Sequence, residues 1–280
     1  MNCISPINLP LSADGKLRRL VPCGKCRPCL QKKRNDWVFR INQECKVSSS
    51  IHFITLTYNN ACVPRDYNDN MCVYKKDVQD WLKRLRKSIN PHKIRYFLVS
   101  EYGGQTSRPH YHLILFNFPQ LEYDITKIVR NTWKRGHVRV DPINQARINY
   151  VTKYCFQNPE LDELLVPNFM LCSRRPAIGS NYLSKDIIKY HKKNLDTTVK
   201  LNGFTQRLPK YYQDRIFNED EKFDIKIERR SYSKEQYEKY EEKYALYDIK
   251  AINEGFPTME TQIKIREVER RAREFRKDNL

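Results

Sequence analysis

The chain has 280 residues, with 52 Lys+Arg against 33 Asp+Glu and a formal net charge of +19. A chain of this length buries the core of one large domain or two small ones. Its cationic excess calls for a polyanionic partner, nucleic acid ahead of an anionic membrane surface, because each neutralised phosphate releases counterions. No stretch reaches the apolar length of a transmembrane helix, and the first residues lack the basic-then-apolar order of a signal peptide, so the reading is of a cytosolic protein.

Nine cysteines are an odd number. Cys45, Cys155 and Cys172 sit singly in apolar runs and read as reduced, buried thiols rather than a disulfide framework. Cys3 and the run Val21-Pro22-Cys23-Gly24-Lys25-Cys26-Arg27-Pro28-Cys29 are different. Thiols spaced so tightly suit a structural Zn2+ held by Cys3, Cys23, Cys26 and Cys29, or an iron–sulfur cluster, or a Cys-rich turn that binds nothing.

In chain order, apolar residues at Trp37, Val38, Ile41 and Cys45 predict a helix from Gln31 to Cys45 with a basic surround. Ile51 to Tyr58 reads as a central strand covered on both sides, ended by Asn59-Asn60. Val78, Trp81, Leu82, Leu85 and Ile89 form the buried stripe of a helix from Lys75 to Ser88, which Asn90-Pro91 stops. Arg95 to Glu101 is the next strand, and the turn Tyr102-Gly103-Gly104-Gln105-Thr106-Ser107 returns the chain into an antiparallel partner, Arg108 to Phe116. A helix from Ile125 to Lys134, a short strand from His137 to Val140 and a helix from Gln145 to Gln157 follow. The order β-α-β-β-α-β-α defines an α+β sandwich with a central antiparallel sheet and helices on one face. Beyond Asn158 we expect an acidic loop, a helix from Asn181 to Lys193, a β region near Thr197 to Arg207, and from Ser233 a charged helical extension broken at Gly255-Phe256-Pro257. The expected division is a Cys-rich segment with a basic helix (1–48), a catalytic domain (49–195) and a mostly helical extension (196–280).

Three features carry chemistry. Side chains alternate along a strand, so His110 and His112 share a face, and the short turn can bring Glu101 beside them. Two imidazoles and a carboxylate with open positions are a standard ligand set for a divalent ion, Mg2+ or Mn2+ where the substrate supplies phosphate oxygens. Third, Tyr150 and Tyr154 stand four apart on a helix, one turn from each other, with Lys153 near both. Two phenols beside a metal site suit a transesterase that acts twice on phosphodiesters. Arg108, Lys83, Arg84, Arg174 and Arg175 are the cations expected along a DNA backbone.

Phe53-Ile54-Thr55-Leu56-Thr57-Tyr58, Pro109-His110-Tyr111-His112-Leu113 and Tyr150-Val151-Thr152-Lys153-Tyr154 resemble, in order, the three motifs of the HUH endonucleases that initiate rolling-circle replication. The Val-Pro-Cys-Gly-Lys-Cys-x-x-Cys opening and Ser173-Arg174-Arg175-Pro176-Ala177-Ile178-Gly179 are similar to the initiators of Microviridae phages, the gokushovirus-like group among them. That resemblance implies a divalent ion on His110, His112 and Glu101. It implies Tyr150 and Tyr154 as nucleophiles that form a 5′-phosphotyrosyl link to single-stranded origin DNA and leave a 3′-hydroxyl, with Lys153 near the scissile phosphate. It also implies work in the bacterial cytoplasm with the host helicase and polymerase. Gln157 stands where many members carry a second lysine. A non-catalytic RNA-binding module shares the element order, but its aromatic signature is missing. A relaxase or transposase would use the same chemistry on another substrate.

Overall fold

The computed structural model describes residues 3, 5–10, 18–104, 106–154, 165–201, 203–259, 261 and 262. The chain divides into two compact units, Met1–Ile216 and Phe217–Leu280. In the first, strands β1 (Ile7–Pro10) and β2 (Arg18–Val21) pair as a hairpin ahead of helix α1 (Arg27–Val47). Strand β3 (Ile51–Tyr58), helix α2 (Lys75–Ser88), strands β4 (Arg95–Tyr102) and β5 (Pro109–Phe116), helix α3 (Ile125–Trp133), strand β6 (Gly136–Pro142), helix α4 (Gln145–Tyr154) and strand β7 (Met170–Cys172) follow. The five strands of the main sheet run in the order β6-β3-β5-β4-β7, all antiparallel, with the histidine strand β5 in the middle.

Both faces of this sheet are covered, which corrects the expectation of helices on one face. Ile54, Leu56, Leu98, Tyr111, Leu113 and Leu115 point to one side, where α2 and α3 bury Val78, Trp81, Leu82, Leu85, Val129 and Trp133. Every residue of the stripe expected on α2 is at most 1% exposed, and each such side chain removed from water contributes about 1.5–3 kcal/mol. Phe53, Phe97, Val99, Ile114 and Phe116 point to the other side and meet Val38 and Ile41 of α1 with Ile148 and Val151 of α4. The apolar spacing read in α1 is therefore a core face, and its charged residues are the outer one.

Two polar clamps hold these layers. Glu44, 3% exposed, takes the Arg95 guanidinium through both carboxylate oxygens and also accepts from Gly179 N at 2.8 Å. Tyr111, between the two histidines, points to the α2 side; its phenol lies 3.0 Å from that of Tyr58 and accepts from Tyr74 N at 2.8 Å. Gly136 opens β6 at φ +153°, where a Cβ would stand 2.3 Å from the Thr57 carbonyl oxygen, so only glycine lets β6 pair with β3 there.

After β7 a 3-10 turn (Ser180–Tyr182) precedes helix α5 (Lys185–Asn194), the hairpin β8 (Thr198–Leu201) and β9 (Phe204–Arg207), and helix α6 (Lys210–Ile216). The second unit contains helix α7 (Glu219–Asn253). It starts well before Ser233 because Asn218 and Glu221 form a reciprocal capping box, and it stops ahead of Gly255, at φ +75°, where the break was expected. Cys45 and Cys172 are half-buried rather than buried; the buried thiols are Cys29 and Cys72, and every described cysteine is a free thiol. Cys155, Gln157 and most of the expected acidic loop lie outside the described residues.

Candidate active site

The register of the sheet assembles the site. His110 lies opposite Glu101 on β4 and Thr57 on β3, and His112 lies opposite Val99 and Thr55. Residues directly opposite in an antiparallel pair share a face. Glu101, His110, His112, Thr55 and Thr57 therefore all look toward the side on which α4 packs. The turn does what the sequence analysis expected of it: Gly103 N donates to Arg108 O at 3.0 Å, and Glu101 Oε2 comes 2.9 Å from His112 Nε2.

The two imidazole rings are nearly parallel, with 6° between planes and 6.4 Å between centroids. His112 stacks on Phe53 at 5.7 Å, and its Nδ1 lies 3.2 Å from Thr55 Oγ1. An ionised carboxylate can only accept, so in the neutral ring Nε2–H donates to Glu101 while the Thr55 hydroxyl donates to Nδ1. A hydroxyl serves equally as acceptor, which lets the ring exchange tautomers when Nε2 is needed as a ligand. Burial, opposed by a backbone hydrogen bond at Arg108 and reinforced by His112, lowers the pKa of His110 and keeps its ring neutral. Gly103 makes room for that ring: a Cβ there would lie 3.0 Å from His110 Cε1.

Helix α4 supplies the phenol. Ile148 and Val151 are buried against the sheet, and Tyr150 is left 38% exposed at the rim. Its hydroxyl donates to Glu101 at 3.0 and 3.3 Å, and its ring stands edge-on to His112, 5.1 Å between centroids. Tyr150, Glu101, His110 and His112 thus form one constellation. Tyr154 is the last residue of α4, one turn beyond Tyr150, and its side chain lies outside those described. Lys153 is half-buried on the same helix. Two other phenols near the histidine strand have structural duties. Tyr58, 1% exposed, donates to Asp77 and has its pKa pushed far up by burial, and Tyr102 donates to Val166 O.

The cations divide. Arg108 is committed to the loop after β3, through Tyr58 O and Asn60. Lys83 pairs with Asp80 and Arg84 donates to Thr132 O; both sit on α2, across the sheet from the histidines, and do not join the site. Arg174 and Arg175 are exposed just after edge strand β7. Sequence reasoning passed over His137 and Arg139, which lie opposite Thr57 and Thr55 on the site's face and are exposed. Their period-two spacing on β6 was visible, but the pairing of β6 with β3 was not. Thr55 and Gly103 were quoted only as parts of a motif and a turn.

At the other end of α1, Cys3, Cys23, Cys26 and Cys29 bring their sulfurs within 4.8 Å of one another, an arrangement able to hold a metal ion. His110, His112 and Glu101 are a looser set, with Glu101 bonded directly to His112. Their chemistry fits a hard divalent ion all the same: neutral imidazoles, one carboxylate and a partly open face.

A fold and site of this kind define a replication initiator. Residues 51–159 match the family model described as Replication-associated protein, of the ORF2 kind, a span that holds every residue of the constellation. The chain is 28% identical over 228 residues to Replication-associated protein ORF4 of Chlamydia phage 1, covering 73% of this chain and 56% of that protein, so it spans little more than half of that relative. It is 26% identical over 308 aligned positions to Replication-associated protein VP4 of Bdellovibrio phage phiMH2K, covering 95% of each. Against Replication-associated protein ORF2 of Spiroplasma virus 4 it is 25% identical over 222 residues, 71% of this chain and 68% of that one. These matches support the rolling-circle initiator read from the motifs. The N-terminal nuclease domain of minute virus of mice non-structural protein-1 aligns with 57% of this chain and 83% of its own at 12% identity, but a TM-score of 0.24 carries no argument. No helix among the described residues is long and apolar enough to cross a membrane.

Proposed function

We propose that the protein nicks and rejoins single-stranded DNA at a replication origin, with Tyr150 and Tyr154 as nucleophiles. The observation that carries this reading is the phenol of Tyr150 bonded to the carboxylate that also holds His112. Phenol, base and candidate ligands are then within one hydrogen bond of each other. His110, His112 and Glu101 would hold Mg2+ or Mn2+, which when bound offsets charge on the scissile phosphate and the departing oxygen.

The residues do the rest. Glu101, 3.0 Å from Tyr150 Oη, takes up the phenolic proton. The phenolic oxygen forms a bond to phosphorus as the bond to the 3′-oxygen breaks; that oxygen leaves, gains a proton and becomes the primer hydroxyl. The energy of the phosphodiester is retained in the phosphotyrosine. After one round of synthesis the second tyrosine cleaves the regenerated origin. The freed 3′-hydroxyl attacks the first phosphotyrosine, releases that phenol and closes the displaced strand. Lys153 is placed on α4 for the scissile phosphate. His137 and Arg139 offer a cationic margin for the strand, with Arg174 and Arg175 at the opposite edge of the sheet. A primer hydroxyl calls for a helicase and a polymerase as partners, and the host supplies both.

The test is incubation of the full chain with Mn2+ and a single-stranded oligonucleotide spanning its genome's origin, followed by denaturing electrophoresis. A covalent adduct is expected. Tyr150→Phe with Tyr154→Phe should remove it while DNA binding persists, and either change alone should spare one cleavage but impair the second transfer. An adduct formed by the double variant would place the nucleophile elsewhere.

A further inference from the structure

The cysteine cluster takes no part in the reaction proposed above. Cys3 precedes β1, Cys23 follows β2, and Cys26 and Cys29 are the N-cap and a first-turn residue of α1. The Sγ atoms of Cys3 and Cys26 are 3.7 Å apart. A disulfide bond is only about 2.05 Å long, whereas four thiolates arranged tetrahedrally about one zinc, each at about 2.3 Å, stand about 3.8 Å from each other. A polynuclear iron–sulfur cluster must spread its thiolates around several bridged irons. Sulfurs that all fall within 4.8 Å of one another leave room for a single ion.

The backbone is arranged around the sulfurs as it would be for anions. Cys23 N donates to Cys3 Sγ at 3.3 Å, and Lys25 N and Cys26 N donate to Cys23 Sγ at 3.5 and 3.2 Å. Gly24, at φ +74°, permits the tight turn that aims them. Helix α1 supplies a separate observation. Its N-cap makes no side-chain hydrogen bond, and its first turn has no acidic residue. The positive end of the helix dipole is thus left without a counter-charge. A divalent ion with four thiolates has two net negative charges and supplies it, with Lys33 close by through its bond to Gly24 O at 3.0 Å.

We infer that Cys3, Cys23, Cys26 and Cys29 hold one zinc ion, which caps α1 electrostatically and ties the segment ahead of β1 to the helix that covers the catalytic sheet. The chain purified without chelator and equilibrated with Zn2+ should retain one zinc per molecule, with no acid-labile sulfide. Exchange for Co2+ should produce the ligand-field and sulfur-to-cobalt charge-transfer bands of a tetrahedral thiolate site. Titrating the wild-type protein with a mercurial in the presence of a chromophoric chelator should release that zinc as four thiols react, a reading that needs no variant to fold. Cys3→Ser should lower zinc affinity at least about 100-fold, beyond the range for losing an outer-shell partner, and Cys45→Ser should leave it unchanged. Bound iron with sulfide, failure to retain zinc, or wild-type affinity in Cys3→Ser would each overturn the inference.

Discussion

Replacing Glu101 by glutamine keeps the shape of the side chain and removes its charge. In the structure the carboxylate is held by two donors, His112 Nε2 at 2.9 Å and the Tyr150 hydroxyl at 3.0 Å. An ion that takes Glu101 as a ligand must displace at least part of this pairing. A hydrogen bond to a charged group contributes about 1.5–3 kcal/mol. Loss of an outer-shell partner costs metal sites about 10–100-fold, so loss of the anionic ligand itself should cost at least about 100-fold, or about 2.7 kcal/mol. Tyr150→Phe should act in the opposite direction. It frees the carboxylate of one competing donor, and recovery of about 1 kcal/mol would tighten the ion about fivefold. Calorimetric titration of Mn2+ into the full chain and both variants reads these shifts without any DNA present. If Glu101→Gln binds Mn2+ within about threefold of the wild type, or if the two variants shift the affinity in the same direction, Glu101 is not a ligand.

Gly103→Ala should slow nicking about 10-fold through displacement of the His110 ring, with little change in thermal stability; Gly104→Ala, where a Cβ meets nothing within 4 Å, is the control, and equal behaviour of the two would refute the steric argument. Burial depresses the pKa of His52, opposed by a hydrogen bond from Gln120, so the unfolded chain takes up the proton more readily than the folded one. Its contribution to stability is therefore present above the ordinary value of 6.5 and is lost as pH falls through the folded value. Urea titrations across this window should show His52→Gln losing less stability on acidification than the wild type, and parallel curves would show that His52 does not contribute.

Much of the fold was legible because its elements are long, periodic and bounded by turn residues. Strand β3 and helix α2 fall where the apolar spacing put them, and the short turn after β4 was enough to bring Glu101 to the histidines. What escaped was whatever depends on the partner rather than on the pattern. The apolar spacing of α1 was plain, but nothing in it says that it closes the second face of the sheet. Lys83 and Arg84 count toward net charge wherever they stand, and only the packing of α2 shows that they face away from the site. Strand β7 has three residues, too few for a period, and exists because β4 offers it an edge. The start of α7 was readable in Asn218 and Glu221, whose spacing is that of a capping box, but the eye was on the tyrosines further along. Thr55 and Gly103 belong to the site through a side-chain contact and a clearance, neither of which leaves a mark in local sequence.

The alternation of β5 has a consequence for how this chain tolerates change. His110 and His112 face the phenol of Tyr150, while Tyr111 between them bonds to Tyr58 and Tyr74 on the other side of the sheet. Adjacent codons therefore answer to different selection pressures. Loss of Tyr111 should remove folded protein and with it every activity, whereas loss of either histidine should leave an abundant, folded protein that still binds DNA and interferes with its intact counterpart. In a saturating mutational scan read once for abundance and once for replication, the two profiles should diverge at every second position of this strand near its Pro109 end and merge toward Phe116, where both faces are core.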